Sequence, residues 1–229
     1  ELKEIGVKAV SIISVGEPML YPGVDKMIKK ALELGFDLGI TSNFAMKIKD
    51  DLISDLVKFK WLRWSMNGGS KEVYLKTNNP KGAAGKDAYE RVQENISRIV
   101  KKRKETDSKV RINGSYVVSE WNHGDIENAY LLANKLKIDH IFFRPDSMLM
   151  DGRTNNKLNS ISQNINDFKK IVFDEKMKTT YSIEGEKEND TLFSEDKDLV
   201  CFYSNHSIYI AANGDVYPCC YTRMSKKYV

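Results

Sequence analysis

The feature that most constrains this chain is the alternation of short apolar runs with longer amphipathic segments. Five runs rich in β-branched and aromatic residues lie near residues 8–15, 36–42, 61–66, 109–118 and 140–145, and their length and composition are typical of strands. Apolar residues recur at helical spacing between most of these runs, and a long helix is predicted from about residue 87 to residue 104. Because strands joined through helices pair in parallel by right-handed crossovers, the pattern predicts an α/β fold built on a parallel sheet.

Three local expectations complete this prediction. The run Ala9–Val15 is largely apolar and is predicted to be a strand buried on both faces. The stretch 67–86 is rich in Gly, Asn and Lys and is predicted to be an irregular connection. After Asp146 the alternation stops, and a single helix, near residues 166–174, is predicted before a charged linker.

The end of the chain is of a different kind. Apolar residues flank Asn213-Gly214, which is a strong hairpin signal, so Cys219 is predicted to lie on a rigid β-hairpin. The chain therefore divides into an α/β domain at residues 1–150, a linker with one helix at 151–200, and a hairpin segment at 201–229.

The composition limits the binding partners and the cellular compartment that we expect for this chain. The 36 basic and 32 acidic residues leave a net charge of +4, and the basic run Lys101–Lys104 ends a helical pattern, so no nucleic-acid partner is expected. No apolar run reaches the roughly 18 residues of a membrane span, so no membrane partner is expected. Three cysteines and no signal peptide favour a reducing cytoplasm over a disulfide framework. The chain begins at Glu1 without Met, and we expect it to be a piece of a longer protein.

Small and polar residues follow the first three predicted strands. They are Gly16, Glu17 and Pro18, then Ser42 and Asn43, then Ser65 and Asn67. Because the carboxyl ends of parallel strands meet at one edge of a sheet, these side chains are predicted to converge on a polar ligand, with Glu17 facing an ammonium group. Taken alone, each of these residues is also common in turns. Arg144, at the end of the fifth strand, is either a site for an anion or the partner of Asp146 in an ion pair.

The cysteines are suited to two kinds of metal site, a zinc site and an iron–sulfur cluster. Cys201 and Cys219 are spaced C-x12-G-x4-C around the predicted hairpin, and Cys220 follows directly. These three thiols and His206 form an adequate zinc set, although the C-x2-C knuckle of structural zinc sites is absent. Thiolates on a rigid hairpin also suit an iron–sulfur cluster. The spacing alone leaves both open.

The combined motifs resemble the radical S-adenosylmethionine (SAM) superfamily. The order is "GEP", "TSN", "SMNG" leading into "KGAAGKDAYERVQENI", then "DIENAYLLANKLKIDHIFFRP", and the closing "GDVYPCC" resembles the start of a SPASM or twitch auxiliary-cluster extension. The resemblance implies a partial (βα)6 TIM-like barrel, incomplete at its N-terminus. It also implies a 4Fe–4S cluster that cleaves SAM reductively to a 5′-deoxyadenosyl radical, which abstracts a hydrogen atom from a peptide or small-molecule substrate.

The resemblance also implies roles for individual residues. Gly16, Glu17 and Pro18 match the motif that binds the methionyl amino group of SAM. Asn43 falls in the polar motif of the third strand, and Ser65 and Asn67 fall in the motif of the fourth strand near the ribose and carboxylate. The strand that holds Phe143 and Arg144 is expected near the adenine. Cys201 and Cys219 are expected to ligate an auxiliary iron–sulfur cluster, with Cys220 either an extra ligand or a packed thiol. No residue is identified as a catalytic acid or base.

The sequence departs from the family pattern at several positions. No cysteine precedes Cys201, so the C-x3-C-x2-C motif of the catalytic cluster is expected upstream of Glu1. Val15 and Phe44 stand where the family commonly has glycine. A reductant such as flavodoxin or ferredoxin is implied as a partner. Two other functions compete with this one: a SAM-pocket binding protein without radical chemistry, and a zinc-stabilised α/β interaction module.

Overall fold

The computed structural model describes residues 1–14, 16–80, 85–145, 178–181 and 206–219. The strands are β1 (Ala9–Ile12), β2 (Asp37–Ser42), β3 (Trp61–Ser65), β4 (Arg111–Val118), β5 (His140–Pro145), β6 (Lys178–Tyr181), β7 (Tyr209–Ile210) and β8 (Val216–Tyr217). The helices are α1 (Val24–Glu33), α2 (Asp50–Leu56), α3 (Lys71–Asn78), α4 (Ala88–Glu105) and α5 (Ile126–Lys135). The chain forms two compact units, Glu1–Glu184 and Gly185–Val229.

The first unit is built on one parallel sheet. Strands β1 to β6 lie side by side in chain order, and each adjacent pair is parallel. This arrangement confirms the predicted α/β architecture, and sequential parallel order is the order of strands in the wall of a TIM-like barrel. Right-handed crossovers between neighbouring strands bring the helices to one face of such a sheet.

The two faces of the sheet differ in burial. Alternate residues such as Leu38, Ile40 and Leu62 are at most 1% exposed and form a core with the helices. The residues between them, such as Thr41 and Arg63, are half-buried or exposed. We call this second side the open face. In the described part of the chain, the strands bury deeply only the face that packs in one core with the helices.

Three expectations require correction. The predicted strand Ala9–Val15 is observed only over Ala9–Ile12, and its residues alternate between exposed and half-buried because β1 is an edge strand. The predicted connection 67–86 contains helix α3, which begins after Ser70, whose hydroxyl accepts a hydrogen bond from the amide of Val73. Strand β6 extends the sheet into the range predicted to be linker. The helix predicted near 166–174 lies outside the described residues.

The second unit contains the predicted hairpin. Strands β7 and β8 are antiparallel, and the amide of Ala211 donates to the carbonyl of Asp215 at 2.8 Å. The loop between those two residues has three residues and ends at Gly214, whose φ of 90° is readily adopted by glycine. Cys219 is half-buried two residues beyond β8, and Cys201 and Cys220 lie outside the described residues. In the part of the chain that is described, no helix is both long and apolar enough to span a bilayer.

Candidate functional site

Glu17 joins the loops that follow β1 and β2. Its Oε1 accepts hydrogen bonds from the Ser42 hydroxyl at 2.7 Å and from the Met19 amide at 3.0 Å, and its Oε2 accepts from the Asn43 amide at 2.7 Å. Pro18 is buried at the start of a short 3-10 turn, Pro18–Leu20, and fixes the chain directly after the carboxylate. The Glu17 carboxylate is half-buried at the carboxyl end of the sheet.

The loop after β2 is held from behind by α4. The buried Asn95 side chain donates to the carbonyl oxygens of Phe44 at 2.9 Å and Met46 at 2.6 Å. Phe44 is 1% exposed with a φ of 52°, the left-handed region that glycine adopts most easily. Position 44 is one where the family that this sequence resembles commonly has glycine. Asn95 and core packing therefore maintain a strained turn next to Asn43.

The loop after β3 is held by Asn67 and Asn122. The Asn67 side chain accepts from the Val117 amide at 3.0 Å, and the buried Asn122 amide donates to the carbonyls of Asn67 and Val117 at 3.1 and 2.9 Å. Tyr116 donates to the Asn122 carbonyl at 2.9 Å. These bonds tie the end of β3 to the end of β4 and fix the backbone of Asn67, whose φ is 47°.

A second carboxylate, Asp125, orders the start of α3. It is 4% exposed, and its Oδ2 accepts from the amides of Gly69 at 2.6 Å and Ser70 at 3.0 Å. Its Oδ1 accepts from the Asn128 side chain at 2.7 Å. The residues after the "SMN" strand end are thus fixed by the connection that follows β4.

Helix α3 brings a phenol close to Glu17. Burial raises the pKa of Tyr74 to about 12, the negative charge of Glu17 adds to the rise, and the positive charge of Arg91 opposes it. The Tyr74 ring lies 5.5 Å from that of Tyr89. Because Tyr74 senses Glu17, the element after β3 and the loop after β1 border the same region of the rim.

The fifth strand presents a different aromatic residue to the open face than the sequence suggested. Phe143 is 1% exposed and its ring lies 5.4 Å from Tyr116, on the helix-covered side. Phe142 and Arg144 lie on the opposite side of β5 and are half-buried and exposed, respectively. On β5, the aromatic side chain on the open face is therefore Phe142.

The structure thus brings most of the predicted residues to one rim. Glu17 and Asn43 are in direct contact, Ser65 ends the next strand, and Asn67 begins the loop that follows it. Gly16 is exposed beside Glu17. Sequence analysis did not identify Asn95, Asn122 or Asp125. The signal for Asn95 was a polar residue within an apolar helical stripe, and that for Asp125 was an acidic residue directly before a helix.

Comparison with known proteins assigns the C-terminal segment. Residues 201–229 match SPASM, an iron–sulfur cluster-binding domain. This match favours an iron–sulfur cluster over zinc at the cysteines of this segment. No curated protein sequence matches the chain.

Solved structures share the fold. Streptococcus suis SuiB bound to S-adenosylmethionine matches with 19% identity over 98% of this chain and 52% of SuiB, with a TM-score of 0.61. SuiB bound to precursor peptide SuiA matches with 20% identity over 95% of this chain and 50% of SuiB, with a TM-score of 0.58. Native anSMEcpe with bound AdoMet matches with 18% identity over 95% of this chain and 62% of that protein, with a TM-score of 0.63.

This chain therefore spans about half the length of the SuiB chains that it matches. These structures show that the chain shares the fold of proteins solved with bound S-adenosylmethionine, and the SPASM match agrees with the auxiliary-cluster extension that the sequence resembles.

Proposed function

We propose that this chain is the SAM-binding and auxiliary-cluster part of a radical SAM enzyme that modifies a peptide. The observation that carries the proposal is the Glu17 carboxylate, which is fixed by three donors at the carboxyl ends of β1 and β2. Crevice ligands bind at that end of parallel sheets. The SAM-bound structures of the same fold and the SPASM match support the proposal.

The chemistry of the donors fits the methionyl end of SAM. An ionised carboxylate has about four acceptor positions, of which three are used at Glu17, so an ammonium group has an acceptor available. The Ser42 hydroxyl and the Asn43 amide already direct the carboxylate, so it loses little side-chain freedom when the ligand binds. Gly16 and Pro18 flank it, and Ser65 and Asn67 offer small polar groups on the neighbouring strand end.

Each of these residues would act on the cofactor by binding and orientation. Glu17 would hold the ammonium, and Ser65 and Asn67 would bind the ribose and carboxylate region. When SAM is bound at a reduced 4Fe–4S cluster, it supplies hydrogen-atom abstraction from a C–H bond. The chain would contribute Cys201 and Cys219 as thiolate ligands of an auxiliary cluster, with Cys220 as their neighbour.

The substrate proposed is a peptide, because SuiB and anSMEcpe, which share the fold, were each solved with a bound peptide. A small reductant protein of the flavodoxin or ferredoxin class would supply the electron. We place the enzyme in the cytoplasm, where thiolate ligands stay reduced.

The test measures SAM affinity in the natural gene product, purified without oxygen. Glu17→Gln keeps the shape of the side chain and removes the charge, so a charge-assisted hydrogen bond worth about 1.5–3 kcal/mol is weakened and SAM affinity should fall about 10–100-fold. Glu94→Gln is the matched control, because Glu94 is an exposed carboxylate on α4. Equal SAM affinity in Glu17→Gln and Glu94→Gln would refute the assignment.

A second variant guards against a folding defect in Glu17→Gln. Ser65→Ala removes one hydroxyl from the open face and should weaken SAM binding without changing the melting temperature by more than a degree or two. Production of 5′-deoxyadenosine by the reduced protein separates radical chemistry from SAM binding alone. SAM binding without that product would support the binding-protein alternative.

A further inference from the structure

A preorganised cation occupies the open face of the sheet. The guanidinium carbon of Arg63 on β3 lies 5.3 Å from the Trp61 ring and 5.6 Å from the Phe142 ring. The Trp61 ring lies over Gly39 on β2, where an added Cβ would come within 2.1 Å of the indole. Strands and aromatic rings therefore fix the direction of the Arg63 side chain before any ligand binds.

Arg144 is a second cation on the same side of β5 as Phe142, the ring against which Arg63 lies. Burial lowers the pKa of Arg63, and the positive charge of Arg144 lowers it further, so the two guanidinium groups repel each other. Among the described residues, no carboxylate pairs with either arginine, whereas Arg98 pairs with Asp50 and Arg103 with Asp139. Asp146, the partner considered from sequence, lies outside the described residues.

The cavity at the other end of the sheet provides a contrast. It has a volume of about 370 Å³ and is bordered by Lys58, Lys60 and Lys109. Each of these lysines already pairs with an aspartate, at 2.7, 3.3 and 2.8 Å. These lysines already have anionic partners, so they do not need an anionic ligand. Arg63 and Arg144 have no carboxylate partner among the described residues, so an anionic ligand would neutralise their charge.

In the proposed function the carboxylate of SAM lies beside its ammonium at Glu17, near Ser65 and Asn67, and is not assigned to these arginines. Its ammonium and its carboxylate share one carbon atom, and the proposed ammonium partner, Glu17, contacts the end of β2. Arg63 is on β3, next to β2, but its guanidinium lies against Phe142 on β5, two strands further along the sheet. The rest of SAM is a sulfonium and a neutral nucleoside, which contain no second anion.

We propose that Arg63 and Arg144, on the platform formed by Trp61 and Phe142, are a binding site for a carboxylate of the peptide substrate. The inference rests on the proposed function for the peptide nature of the ligand. A planar guanidinium binds a carboxylate through two parallel hydrogen bonds, and an arginine held on aromatic rings loses little freedom when it does so. The site selects acidic peptides and positions them on the open face.

The test uses the natural gene product, purified without oxygen, and a short glycine-rich peptide that carries glutamate side chains, is blocked at both ends and bears an uncharged dye. Fluorescence anisotropy gives its affinity. Arg63→Gln and Arg144→Gln should each weaken binding about tenfold, the weakening expected when a charge-assisted hydrogen bond is lost. Lys104→Gln is the charge-matched control, because Lys104 is exposed on α4 on the helix-covered side, and its effect should stay within about twofold.

Two further peptides identify the source of the carboxylate. One replaces every glutamate with glutamine, and the other does so and leaves the C-terminal carboxylate unblocked. Binding of only the glutamate peptide assigns the site to acidic side chains, and arginine-dependent binding of the unblocked peptide assigns it to a chain terminus. Equal affinity for the fully blocked glutamine peptide, or an equal loss in Lys104→Gln, would overturn the proposal.

SAM affinity, measured in parallel, separates this inference from the proposed function. In Arg63→Gln the affinity for the glutamate peptide should fall by a larger factor than the affinity for SAM. Equal losses of both affinities would assign the arginines to the cofactor and refute the inference. Arginine-dependent peptide binding by a protein that does not bind SAM would refute the proposed function and leave the carboxylate site standing.

Discussion

Replacing Asp125 should loosen the rim of the sheet without touching the proposed ligand. Its carboxylate accepts from the buried amide of Gly69 and the partly buried amide of Ser70, and it is the contact through which the β4–α5 connection orders the start of α3. Asp125→Ala leaves both amides without that acceptor. Asp125→Asn keeps one oxygen that can face them and lowers only the strength of the bonds.

The structure sets the size of each effect. A buried donor left unsatisfied costs about 1–3 kcal/mol, which applies in full to Gly69, whereas the Ser70 amide is partly accessible to water. We therefore expect Asp125→Ala to lower the free energy of unfolding by about 2–4 kcal/mol. Asp125→Asn loses the charge assistance and should cost about 1–2 kcal/mol.

Urea unfolding followed by circular dichroism measures both values, provided the m-value is unchanged between variants. Asp87→Ala is the control, because Asp87 occupies the N-cap position of α4 but makes no capping hydrogen bond, and its effect should stay within about 0.5 kcal/mol. The reasoning fails if Asp125→Ala costs under about 1 kcal/mol, or if Asp125→Asn costs as much as the alanine variant.

Two other outcomes are expected. Burial and a nearby carboxylate raise the pKa of Tyr74 to about 12 in the folded protein, whereas this phenol ionises near 10.0 in the unfolded chain. The urea concentration at the unfolding midpoint should therefore stay constant below pH 10 and fall towards pH 12. Tyr74→Phe should reduce that fall, leaving a remainder from Tyr116, whose pKa burial also raises; an unchanged fall would contradict the shift. In the natural gene product purified without oxygen, Cys201→Ala and Cys219→Ala should each lower the iron per chain, because a cluster needs its thiolates, and Cys220→Ala should not. Unchanged iron in the first two variants, or stoichiometric zinc, would count against the auxiliary cluster.

Four of the six strands in the parallel sheet could be predicted closely from sequence, because apolar residues alternate along them over one covered face. Helix α3 could not, since Tyr74 is its one residue that is fully buried and its start depends on the Ser70 cap and the distant Asp125. Strand β6 has only four residues, and its pairing with β5 is a tertiary property that the local sequence does not encode.

The candidate site divides in the same way. Glu17 and Asn43 were predicted because strand ends of a parallel sheet share one edge, a rule that needs only strand positions. Asn95 and Asn122 were not predicted, since both partners of Asn95 and one partner of Asn122 are backbone groups about 50 residues away in the chain. The choice between Phe142 and Phe143 depends on which face each residue takes, and a shift of one residue reverses that face.

The contact between Gly39 and Trp61 also shapes how this sequence can diverge. Any side chain at position 39 collides with the indole, so a change there survives only together with a smaller residue at position 61. Losing the indole removes one of the two rings that support Arg63. In sequences that diverge from this one by evolution, positions 39, 61 and 63 should therefore change together. Gly39 contacts no ligand itself, yet its contact with Trp61 limits which related sequences can keep the peptide specificity that we propose for the open face.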